Sequence, residues 1–74
     1  MTAHNIHVVP HGTGWDVIQE GARNANSHHD TQDAAIAAGT LDAQREQVEL
    51  LIHGRDGQIR SRNSYGHDPR TVRG

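Results

Sequence analysis

Residues 48–66, VELLIHGRDGQIRSRNSYG, write a β-hairpin and load its second strand with cations. Val48, Leu50 and Ile52 alternate with Glu49, Leu51 and His53, the period of two expected of a strand with one buried face. Gly54-Arg55-Asp56-Gly57 reads as the turn, because glycine reaches positive φ at no steric cost and aspartate bonds its own local backbone. Gln58 to Tyr65 then runs back. Ile59, Ser61, Asn63 and Tyr65 fall on one side, and Arg60, Arg62 and Ser64 on the other, so that two arginines share a face.

Upstream of the hairpin the period changes. Asp30 or Thr31 is placed to cap a helix, with Asp33 where a capping-box acid reaches back to the cap amide. Ala34 to about Gln47 favours helix apart from Gly39, which costs about 1 kcal/mol relative to alanine. Two stripes compete for its buried face: Ala35, Ile36, Gly39 and Ala43, or Ala34, Ala38 and Leu41. Nearer the start, Ile6 and Val8 alternate with His7 and Val9 in a first strand expected to stop at Pro10, which lacks a backbone donor. After the His11-Gly12-Thr13-Gly14 turn, Trp15 and Val17 share one side of a second strand, and Asp16 and Ile18 the other. Residues 22–29 read as a loop or a short edge strand ending at His28 or His29.

The expected fold is α+β, a small antiparallel sheet of three to five strands packed against one helix in the order β-β-(β)-α-β-β. Its inner face takes Ile6 and Val8, Trp15 and Val17, then Val48, Leu50, Ile52 and Ile59. Val9, Ile18 and Leu51 point the other way. Residues 1–74 form a single domain in this reading, with residues 67–74 a flexible tail.

The blocks HVVP (7–10), GWDV (14–17), HDTQ (29–32), ELLIHGRDGQI (49–59) and NSYG (63–66) together resemble a family of small prokaryotic proteins, domain of unknown function 2188. The similarity spans nearly the whole chain, and HGRDG with NSYG is its most specific part. It implies a domain boundary and no mechanism, so no catalytic residues carry over. Asp42 departs from it, standing beside Leu41 where the family pattern suggests an apolar residue.

Seventy-four residues bury only roughly 60 to 65% of the surface that the unfolded chain exposes, so the core is thin. Without cysteine there is no disulfide framework, thiolate metal site or thiol nucleophile. The opening MTAHNIHVVPHG lacks the basic start and apolar run of a signal peptide, and no stretch approaches the roughly 20 apolar residues of a membrane span. A soluble, cytoplasmic protein with no membrane partner is expected. The net charge of -2 conceals an asymmetry: residues 1–52 hold two arginines against seven carboxylates, and residues 53–74 five arginines against two aspartates. Every cation is arginine, whose planar fork suits carboxylate or phosphate.

Three chemistries follow from these residues. Seven histidines invite a metal reading in which His7, His28 and His53 are the candidate ligands; no HExxH or other diagnostic spacing supports it, and the expectation is no metal and no cofactor. Catalysis finds no G-x-S-x-G elbow for Ser61 or Ser64, and Asp16, Asp30 and Asp56 each have a local structural explanation, so no enzyme and no small-molecule substrate are expected. Arg55, Arg60 and Arg62 are the candidate contacts to an anion or nucleic acid, against an otherwise acidic chain. The reading favoured here is a non-enzymatic binding or assembly module that self-associates as a homo-oligomer through Val9, Ile18 and Leu51. Its alternative is a weak, sequence-independent nucleic-acid binder using the arginine-bearing hairpin.

Overall fold

The computed structural model describes residues 4–66, so the tail expected at residues 67–74 lies outside the described residues. Six elements follow in chain order: β1 (Ile6–His11), β2 (Gly14–Gln19), β3 (Ser27–His29), α1 (Gln32–Glu46), β4 (Glu49–His53) and β5 (Ile59–Ser64). The five strands form one sheet in the order β3-β2-β1-β4-β5, and α1 packs across one of its faces. The chain is therefore α+β, with its single helix on a five-stranded sheet, and the short edge strand ending at His29 is present.

The central strand pair departs from the antiparallel expectation. β1 and β4 run parallel, with Ile6 beside Leu50 and Val8 beside Ile52. Parallel neighbours need a crossover of a dozen or more residues, and the fifteen-residue α1 supplies it by carrying the chain back over the sheet after β3. Alternation assigns faces but is silent on strand direction, which is why the hairpin pattern alone did not reveal it.

Two further expectations change at the strand ends. β1 runs through Pro10 to His11, because the β4 pairing stops at Val8 and leaves one side of β1 free there, where a missing donor costs nothing. Ile59, expected in the core, is 50% exposed. A bulge between Ile52 and His53 shifts the β4–β5 register, setting Ile59 opposite His53, away from the helix side. The turn between them forms as read: the Gly54 amide donates to the Gln58 carbonyl (2.7 Å), the Gln58 amide donates to Asp56 Oδ1 (3.1 Å), and Gly57 takes φ 87°.

The helix begins with the Thr31 hydroxyl accepting from the Ala34 amide (3.1 Å). With Thr31 as cap, Ala34 occupies the capping-box position, and Asp33 instead sets its charge against the positive end of the helix dipole. Of the two competing stripes, Ala35, Gly39 and Ala43 are buried, whereas Leu41 is 64% exposed. Gly39 decides this. A Cβ there would lie 2.9 Å from Leu50 Cδ1 and 3.2 Å from Val8 Cγ2, so the missing side chain is what allows the helix to settle on β1 and β4. The core beneath it, Ile6, Val8, Val17 and Leu50, is fully buried, each side chain contributing roughly 1.5–3 kcal/mol. Among the described residues no helix is long and apolar enough to cross a membrane.

Candidate functional site

With α1 on one face, the strand register determines what the other face carries. One row crosses it through Ile18 of β2, His7 of β1, Leu51 of β4 and Arg62 of β5. The next holds His28 of β3, Asp16 of β2 and Val9 of β1, with His53 and Ile59 one step further along β4 and β5. Val9, Ile18 and Leu51 thus lie on the face that the helix leaves open, in three adjacent strands. They are not equally accessible: Val9 and Ile18 are half-buried, and Leu51 is only 5% exposed.

Two of the three candidate metal ligands come together. His7 Nδ1 and His53 Nε2 lie 2.9 Å apart, their rings 5.1 Å between centroids, and the outer nitrogens face Glu20 Oε1 (3.4 Å from His7 Nε2) and the Gly57 carbonyl (3.0 Å from His53 Nδ1). His28 stands apart on β3. Its Nδ1 donates to Asp16 Oδ1 at 2.6 Å, while His11 Nδ1 lies 3.0 Å from Asp16 Oδ2, so that one buried carboxylate faces two imidazoles. Such pairing is what a buried carboxylate requires. His11 and Glu20 escaped the sequence reading. The signal was available for His11, because a two-residue turn at Gly12-Thr13 sets it diagonally across from Asp16. Among the described residues no three histidine, aspartate or glutamate side chains converge as metal ligands.

The three arginines are held separately, each by a partner within the chain. Arg60 Nη2 donates to Asp56 Oδ2 (2.7 Å) across the hairpin turn, and Arg62 Nε lies 3.6 Å from Glu49 Oε1. Arg55 reaches farthest. Its guanidinium lies 4.5 Å from the centroid of the Trp15 ring and donates to the carbonyls of Gly12, Thr13 and Gly14 at 3.2–3.3 Å, bracing the opposite turn. Arg60 and Arg62 keep exposed side chains on the outermost strand, where ion pairs are worth about 0–1 kcal/mol and are readily exchanged.

Residues 6–65, which take in all six elements, match the family model described as an uncharacterized protein conserved in bacteria, DUF2188. The uncharacterized protein YdaT of Bacillus subtilis (strain 168) is 32% identical over 60 residues, an overlap covering 81% of this chain and 40% of the relative. The chain thus spans about 40% of the length of that curated relative. No solved structure matches it. The chain belongs to the DUF2188 family.

Proposed function

We propose that this member of the DUF2188 family is a cytoplasmic, non-enzymatic binding module that associates with a second copy of itself through the open face of its sheet. One observation carries the reading: Val9, Ile18 and Leu51 occupy adjacent strands of a face that the single helix does not cover, and Ile59 extends the apolar surface at its β5 end. The charges beside them favour a second copy over a charged partner. A two-fold contact sets a patch against itself, so any surplus of one sign is doubled and repelled. Here Arg62 is answered by Glu49, and the Asp16 carboxylate is buried against His11 and His28, so neither stands as an exposed unmatched charge.

Sedimentation velocity across a concentration series tests this. The expected result is a dimer at high micromolar concentration and a monomer for Ile18→Glu, with the thermal midpoint of the variant close to the parent. Ile18 is the residue to change, since its half-buried side chain can turn to water, whereas a charge at the buried Leu51 would unfold the sheet. A parent chain that stays monomeric throughout the series overturns the reading. Nucleic-acid binding through Arg60 and Arg62 is the second reading, supported by their exposure on an edge strand.

A further inference from the structure

The line Glu20–His7–His53–Gly57 contains three gaps and only two imidazole protons to fill them. The Gly57 carbonyl can only accept, so His53 Nδ1, 3.0 Å away, carries the hydrogen. An ionised carboxylate likewise only accepts, which draws the hydrogen of His7 to Nε2, on the Glu20 side. Each neutral ring has then spent its one N–H on its outer partner. In that tautomer His7 Nδ1 faces His53 Nε2 at 2.9 Å as two lone pairs, whereas the other tautomer closes the gap with an Nδ1–H···Nε2 hydrogen bond and leaves the 3.4 Å contact to Glu20 unfilled, so a metal ion competes with that hydrogen for the gap.

We propose that His7 Nδ1 and His53 Nε2 are the two protein ligands of a site for a divalent transition-metal ion of the Zn²⁺ class on the open sheet face. The outer bonds are those expected of ligating histidines, whose second ring nitrogen donates to a carboxylate or a backbone carbonyl and so fixes the tautomer that offers the other nitrogen to the metal. The spacing agrees. Two bonds of about 2.0–2.1 Å at a tetrahedral angle hold their nitrogens about 3.3 Å apart, so the rings need part by only a few tenths of an ångström. His7 keeps 21% of its side chain in solvent, giving the ion an entry route and water for its remaining positions. The neighbouring strands place Leu51 and Ile59 beside the pair, and the nearest fixed cation of that face, Arg62, is matched by Glu49. The site stands independently of self-association, since a monomer presents both nitrogens.

The test uses the untagged, ¹⁵N-labelled chain titrated with Zn²⁺ and followed in long-range ¹⁵N–¹H imidazole spectra. At stoichiometric Zn²⁺, His7 Nδ1 and His53 Nε2 shift, while His7 Nε2 and His53 Nδ1 stay protonated and the His11 and His28 rings do not move. In parallel calorimetric titrations, His7→Ala/His53→Ala abolishes saturable binding, Glu20→Ala weakens it about tenfold, and His11→Ala/His28→Ala leaves it unchanged. Two results overturn the proposal: Zn²⁺ that leaves both inner nitrogens unmoved in the parent chain, in which case the gap holds a proton only, or a folded His7→Ala/His53→Ala variant that binds as tightly as the parent. The spectra of the parent decide the matter even if the double variant fails to fold.

Discussion

Arg55 shows how a charge that reads as surface becomes part of the fold. In the sequence it sits in a Gly-Arg-Asp-Gly turn, the place for a solvent-facing contact with an anion. In the structure its planar fork covers Trp15 and binds three carbonyls of the β1–β2 turn. Cation–π attraction and hydrogen bonds from a charged donor place the expected cost of Arg55→Ala at about 1–3 kcal/mol. Arg55→Lys should recover less than half of it, because an ammonium group cannot lie flat on the indole and reach three acceptors together. Urea unfolding checks both, and midpoints equal to that of the parent would show the contact to be ornamental. The long-range half of this arrangement was not legible beforehand. It exists only because β1 and β4 are parallel, which brings their two following turns to the same end of the sheet.

Among the elements, α1 ends on the feature most open to improvement. Gln47 holds the left-handed conformation at φ 59° and ψ 51°, from which its amide donates to the Ala43 carbonyl. A side chain makes that backbone unfavourable by about 1 kcal/mol relative to glycine. Gln47→Gly should therefore raise stability by about 0.5–1 kcal/mol, read as a higher urea midpoint at unchanged slope; a lower midpoint would mean that the exposed Gln47 side chain contributes something its position does not suggest. The helix itself was plain from its small-residue composition, yet its buried stripe was ambiguous, since alanines lie on both candidate faces and packing on Leu50 and Val8 made the choice. Strand faces were legible from alternation in β1, β2 and β4. They failed at Ile59, where one inserted residue reverses the alternation without leaving a mark in composition. The candidate site was legible in the same uneven way: alternation put His7 and His53 on one face, and only the strand order made them neighbours while leaving His28 beyond β2.

At the scale of the whole molecule, the described arginines of the basic half all have partners within the chain. Arg62 of the basic half meets Glu49 of the acidic half, and Arg60 and Arg55 are committed to the two turns. Three free phosphate contacts would give a slope of log affinity on log salt of about -2.7 on duplex DNA. With these partners in competition, the expected slope is shallower and the affinity at physiological salt weaker than micromolar, for a labelled duplex and a single strand alike. Fluorescence anisotropy at low and physiological salt measures it, and submicromolar binding lost in Arg60→Ala/Arg62→Ala would promote nucleic-acid binding to the leading function. The parallel seam at the centre of the sheet also governs how the molecule comes into being. The Glu49 amide is held by the Asn5 side chain, 44 residues away, and the β1–β4 ladder begins beside that bond. Closing so large a loop must precede the contacts that repay it, so the order of assembly is set: two local hairpins wait on one slow, distant meeting. A chain emerging from the ribosome consequently carries β1 with a vacant side until β4 has been made, and its first half cannot complete its core alone.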